Sequence, residues 1–172
     1  EAPGHTTYRA RQAILAGRSV ELLQPLTYMN LSGEALVAWR ERHGKEDELL
    51  VVSDDVYLPL GALRIRTSGS AGGHKGLESI EAAVGSRDYA RLRIGVGAAE
   101  DSAALSEHVL QHFAPDEAAA LEETVRRAAD AVECWVAEGA LGAMNKFNRT
   151  GDPGHPSARM GPGREPQEES ET

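Results

Sequence analysis

Between Leu49 and Leu77 the chain leaves little choice of local structure. Four apolar residues, Leu49 to Val52, run directly into Ser53, Asp54 and Asp55. A buried strand brings polar side chains to the carboxyl edge of a sheet in this way, and that edge is where chemistry tends to sit. Pro59 and Gly61 turn the chain, and Leu63 and Ile65 then alternate with Arg64 and Arg66, which places both arginines on one face of a second strand. From Ser68 to Gly76 there is almost no side-chain bulk before a helical pattern begins at Gly76. Backbone N–H groups in such a loop can approach a phosphate or carbonyl oxygen closely, so the composition is that of a binding loop. It matches neither the phosphate loop G-x-x-x-x-G-K-[ST] nor the dinucleotide fingerprint G-x-G-x-x-G, which leaves a mononucleotide-binding domain as a weaker alternative.

The remaining elements follow from period and punctuation. Tyr8 to Leu15 and Ser19 to Gln24 read as a hairpin about Ala16–Gly17–Arg18, ended by Pro25. Ser32 reads as the N-cap of a helix carrying Leu36, Val37 and Trp39 that closes at His43–Gly44, which leaves Tyr28, Met29 and Asn30 on the strand-to-helix connection. Leu77, Ile80 and Val84 form the buried side of a short helix over Gly76 to Val84, stopped by Gly85. Arg91 to Gly97 is a strand alternating Leu92, Ile94 and Val96 against Arg91 and Arg93, and Ser102 to Leu110 a short helix. Pro115 to Glu138 is the longest helix, its buried stripe formed by Leu121, Val125, Ala128, Ala129, Val132, Trp135 and Val136. Leu141 to Asn148 is a last helix with Met144 and Phe147 inward.

Strands alternating with helices predict an α/β class: a single-domain twisted mixed sheet with helices on both faces, over residues 1–150. Residues 151–172, rich in Pro, Gly, Ser and Glu, are expected to be a disordered acidic tail. No apolar run approaches the roughly eighteen residues of a membrane helix, and Glu1 to His5 lacks the form of a signal peptide, so the reading is a cytoplasmic monomer without membrane contact. The one cysteine, Cys134, lies among Val132, Trp135 and Val136 and is expected to be a small buried hydrophobe.

A net charge of −9 argues at first against a nucleic-acid partner, which needs cations to meet its phosphates. The charge is segregated, however. Residues 60–97 hold six basic residues against three acids, whereas residues 100–138 hold ten acids against Arg126 and Arg127. Positive charge thus gathers about the glycine-rich loop, as a phosphate-binding face requires.

Three segments in register carry a family resemblance. Gln24–Pro25–Leu26–Thr27–Tyr28–Met29–Asn30–Leu31–Ser32–Gly33, the Ser53–Leu77 stretch and Tyr89–Ala90–Arg91–Leu92–Arg93–Ile94–Gly95–Val96–Gly97 together resemble the bacterial peptidyl-tRNA hydrolases, in order from about Tyr8 to about Asn148. The resemblance implies a mixed α/β fold with a cleft over the sheet's edge. It also implies hydrolysis of the ester joining a peptide to the terminal ribose of tRNA, with peptidyl-tRNA as partner and no cofactor. In the family a histidine acts as general base on water, and an aspartate, matched by Asp54, holds that imidazole. The family's histidine lies in a Thr–Arg–His–Asn string after a Gly–Asn–Pro–Gly turn, and neither string occurs before Tyr8. The expectation is therefore an N-terminally incomplete hydrolase domain that is inactive as given, with a non-catalytic RNA-binding protein of the same family as the alternative.

The other carry-overs concern substrate. Asn30 matches an asparagine that hydrogen-bonds the peptide and the 3′ end, with Tyr28 and Met29 as the adjoining wall. Gly72 and Gly73 match the loop along the peptidyl backbone, and His74 matches a histidine that lines the cleft without acting as base. Lys75 stands where the family usually has an asparagine, replacing an amide with a cation. Arg66 and Arg93 match the basic positions that clamp the tRNA 5′ phosphate. His5 lies upstream of the hairpin in a different register from the family's base, His43, His108, His112 and His155 are expected at the surface, and no histidine pair has metal-ligand spacing, so no metal is expected.

Overall fold

The computed structural model describes residues 6–46, 48–97 and 112–148. The chain opens with a hairpin of β1 (Tyr8–Leu15) and β2 (Arg18–Pro25), paired antiparallel with Leu15 opposite Arg18. That register leaves a two-residue turn rather than the three residues expected. Ala16 and Gly17 both take positive φ, 49° and 75°, whose twist suits a tight hairpin. A single 3-10 turn, Met29–Leu31, leads into α1 (Ser32–His43), closed by Gly44 at φ 84°. Ser32 is not the N-cap: the residue at that place is Leu31, and Ser32, already helical, donates its hydroxyl to the Met29 carbonyl at 2.8 Å. The 3-10 turn shifts the helix start by one residue and supplies the carbonyl that Ser32 uses.

Three further strands form a separate mixed sheet in the order β3 (Leu50–Asp55), β5 (Ala90–Gly95), β4 (Leu63–Arg66). The central β5 runs parallel to β3 and antiparallel to β4. Between β4 and β5 lies α2 (Lys75–Val84), stopped by Gly85 in the left-handed conformation. A 3-10 turn at Pro115–Glu117 then opens α3 (Ala118–Phe147), which breaks at Gly139 (φ 75°, ψ 179°), so the two helices foreseen there meet end to end. The short helix expected over Ser102 to Leu110 and the acidic tail lie outside the described residues.

Helices cover both faces of the sheet. On one face Leu63, Ile65 and Leu92 pack against Ala128, Ala131, Cys134 and Ala143 of α3, with Trp135, Met144 and Phe147 partly buried around them. On the other, Leu36 of α1, Ile80 of α2 and Tyr89 pack with Val51 and Trp39. The stripe of α3 is rotated from the one periodicity predicts: Val125 is 59% exposed and Ala129 faces water, whereas Thr124 is buried. Small Ala128, Ala131 and Cys134 let the helix approach the sheet closely. Thr124 can join the seam because its hydroxyl donates to the Ala120 carbonyl at 2.6 Å. Cys134 is buried and free, as expected.

Candidate active site

The site sits where β3 ends. Strand alternation sends the adjacent acids Asp54 and Asp55 to opposite faces of the sheet. Asp54 meets His74, whose Nε2 lies 3.0 Å from Asp54 Oδ1. The other ring nitrogen, Nδ1, accepts the Leu77 N–H at 3.2 Å, so His74 caps α2 with its side chain. Because a backbone N–H can only donate, Nδ1 is unprotonated and Nε2 carries the proton that goes to Asp54. That hydrogen bond, opposed by burial and helped by the Arg93 guanidinium, holds the Asp54 carboxyl below its usual range.

The turn before α1 packs against the start of α2 beside this pair. Gly76 makes the approach possible: a Cβ there would stand 2.5 Å from Met29 Sδ and 2.9 Å from His74 Cε1. Met29 and Tyr28 are open to solvent, 56% and 82% exposed, and Asn30, on the same turn, is exposed as well. Gly72 and Gly73 lie exposed in the loop before His74, with φ of 61° and 82°, backbone that side-chain-bearing residues rarely adopt. Asp54, His74 and Met29 are thus brought together, with Asn30 next to Met29 on its turn and the two glycines next to His74 in the loop.

The basic residues divide. Arg64 stands opposite Arg93, and Arg66 opposite Arg91, on one face of β4 and β5. Arg91, one of the six basic residues counted around the loop, is only 2% exposed: it pairs with Glu81 Oε1 at 3.1 Å and lies 4.3 Å over the Tyr89 ring. Burial pushes the Tyr89 phenol up. Arg87 pairs with the other oxygen of Glu81, and Arg93 with Asp55 at 3.1 Å. Arg64, Arg66 and Lys75 have no acidic partner among the described residues, so the free positive surface is narrower than the count of charges suggested. Asp55 and Glu81 were passed over in the sequence. Alternation along β3 was the available signal for Asp55; nothing local marked Glu81.

A cleft of about 930 Å³ runs from β2 past Trp39 and the outer edge of β3 to Trp135 and reaches Asp54 and His74. Along it Val52 is 50% exposed, and Thr27 Oγ1, Trp39 Nε1 and Ser53 Oγ are buried without a hydrogen-bond partner. Among the described histidines only His74 meets Asp54: His43 stacks on Trp39 at the end of α1, and His112 is exposed. No group of three or more His, Cys, Asp or Glu among the described residues is placed to hold a metal ion, and no described helix is long and apolar enough to cross a membrane.

Comparison with known proteins adds four findings. A family model described as peptidyl-tRNA hydrolase matches residues 4–154. The peptidyl-tRNA hydrolase of Chloroflexus aggregans is 45% identical over 139 residues, covering 80% of this chain and 74% of the relative. That of Roseiflexus castenholzii is 48% identical over 136 residues, covering 78% of this chain and 64% of the relative. The crystal structure of peptidyl-tRNA hydrolase from Acinetobacter baumannii superposes with a TM-score of 0.73 at 29% identity, over 83% of this chain and 73% of that one.

Proposed function

The chain belongs to the peptidyl-tRNA hydrolase family, and we propose that its cleft receives the 3′ end of a peptidyl-tRNA for hydrolysis of the ester between peptide and ribose. The single observation that supports this most is the Asp54–His74 pair standing beside the Met29–Asn30 turn and the glycine loop. Water adds to the ester carbonyl, the bond to the ribose oxygen breaks, and that oxygen takes a proton, giving a free peptide carboxylate and an uncharged tRNA. Asn30 is assigned to hydrogen-bond the peptide, Gly72 and Gly73 to lie along it, Tyr28 and Met29 to wall it, and Lys75, Arg66 and Arg93 to meet tRNA phosphates. No cofactor enters the scheme, and the working form is proposed to be a cytoplasmic monomer.

His74 is not the general base in this scheme. One ring nitrogen accepts the Leu77 N–H and the other donates to Asp54, so neither offers a lone pair to water. Asp54 is instead assigned to orient a second imidazole, the one that the resemblance puts in a Thr–Arg–His–Asn string upstream of Tyr8. Cleavage of N-acetyl-aminoacyl-tRNA tests the reading. Residues 1–172 preceded by the two family strings are expected to be active, and Asp54→Asn in that extended form about a hundredfold slower or worse. An inactive extended protein overturns it.

The cation at Lys75, where the family usually has an asparagine, favours one other reading, RNA binding without hydrolysis. Tight binding of tRNA by an extended form that never cleaves it is the outcome that selects this alternative.

A further inference from the structure

Four guanidinium groups share one face of β4 and β5, Arg64 opposite Arg93 and Arg66 opposite Arg91. Like charges placed directly across a sheet repel, so what distinguishes the four is which have an acid to fix them. Arg91 has Glu81 but is sealed at 2% exposure, and Arg64 and Arg66 are exposed without an acid. Arg93 alone is both fixed and open. Its Nε lies 3.1 Å from Asp55 Oδ2, with its side chain 20% exposed.

Asp55 is well placed to fix it. It is 3% exposed, its Oδ1 accepts the Tyr57 N–H at 2.9 Å, and its own carbonyl accepts from Leu58 and Val96 at 3.3 and 3.2 Å. The contact reaches the base of the guanidinium fork. The Nε hydrogen is angled off the carboxylate, which makes the contact an ion pair rather than a hydrogen bond. Both terminal nitrogens are left to face the glycine loop, where a Cβ on Gly72 would stand 3.4 Å from one and 3.9 Å from the other. No described residue accepts a hydrogen bond from them.

We infer that Asp55 is a positioning residue, holding the Arg93 guanidinium beneath the loop at Gly72 so that its two terminal nitrogens meet the phosphate end of the substrate as a preformed fork. This rests on the function proposed above, and it adds to the phosphate-binding role of Arg93 the group that aims it. The removal that matters is of charge, because Asn at position 55 keeps an oxygen for the Tyr57 N–H and loses the attraction for Arg93.

The test is binding of an acceptor-stem RNA minihelix with a 5′ phosphate against the same RNA with a 5′ hydroxyl. The parent chain is expected to prefer the phosphate by about tenfold, and Asp55→Asn to reduce that preference to about twofold while leaving the hydroxyl form bound as before. Arg93→Lys keeps the ion pair with Asp55 but not the fork. It is expected to show the same loss, which keeps the inference open to refutation should Asp55→Asn fail to fold. Full preference in either variant overturns it. A second readout needs no RNA: the His74 amide, which donates to the Ala71 carbonyl at 3.2 Å across the glycine loop, is expected to exchange faster in Asp55→Asn while Leu77 to Val84 stay protected. If the parent shows no phosphate preference, the tRNA reading fails by itself, and unchanged exchange in the loop then rejects the role of Asp55 separately.

Discussion

His74 Nε2 donates to Asp54 Oδ1 at 3.0 Å while Nδ1 of the same ring accepts the Leu77 N–H at 3.2 Å, so one imidazole ties the end of β3 to the start of α2. Two consequences can be separated by experiment. Loss of the ring removes a helix cap, and it removes the main cause of the lowered Asp54 pKa.

For His74→Ala the cap accounts for about 1 kcal/mol of lost stability. The pH dependence carries the rest. A carboxyl whose folded pKa is depressed contributes stability that is present above its unfolded value, about 3.9, and lost as pH falls through the lower folded value. The urea midpoint of the parent should therefore drop below about pH 3.9 more steeply than that of His74→Ala. In the variant the Asp54 carboxyl, followed by its ¹³C shift, should titrate closer to the ordinary range. An unmoved titration would show that the hydrogen bond is not what lowers it.

Gly76→Ala sets helix preference against the site. Alanine inside a helix gains up to about 1 kcal/mol over glycine, but the new methyl would meet Met29 Sδ and the His74 ring. Thermal stability is expected to change by less than about 1 kcal/mol, while the Asp54 titration moves in the same direction as in His74→Ala. Melting curves together with carboxyl NMR would check both halves. A Gly76→Ala protein with an undisturbed Asp54 would mean that Met29 alone gives way.

Asn148 reads the outer edge of β4 as a neighbouring strand would. Its Oδ1 accepts the Ile65 N–H at 2.6 Å and its Nδ2 donates to the Ile65 carbonyl at 2.9 Å. Asn148→Ala should cost about 1–3 kcal/mol in urea unfolding and speed exchange of the Ile65 amide. Asn148→Asp keeps the acceptor and loses the donor, so it should preserve more of that amide's protection than alanine does.

Arg40, on α1, joins the end of α2 to the loop between α1 and β3. Its Nε donates to Glu46 Oε2 at 2.8 Å, and one terminal nitrogen donates to the Ala83 carbonyl at 3.0 Å, at the end of α2. Arg40→Met should destabilise the protein by about 2 kcal/mol. The Arg40 hydrogen bond is also the main cause holding the Glu46 carboxyl down. In the variant that carboxyl should therefore titrate higher, and the acid-side loss of stability attributable to it should shrink.

The parts of the fold legible in advance are those written in consecutive residues. The exposed and buried alternation of β4, the stops at Gly44 and Gly85, and the inward Met144 and Phe147 follow from period and from the conformations glycine allows. The order of three motifs pointed to the family, and through it to Asp54, Asn30 and the loop. Val125 and Ala129 went astray because hydrophobicity alone does not reveal that Thr124 can satisfy its own hydroxyl and sit in the seam.

Only the tertiary structure decided what each charge is doing. Asp54 and His74 are twenty positions apart, and Arg93 reaches Asp55 only because β5 lies parallel to β3 with Ser53 beside Arg93 in register. Arg91 and Arg93 look alike in the strand pattern, yet one is sealed against Glu81 and Tyr89 and the other left open beneath Gly72. Local sequence fixes which way a side chain leaves the backbone. Which partner meets it, and how much water remains, depends on segments brought alongside by packing.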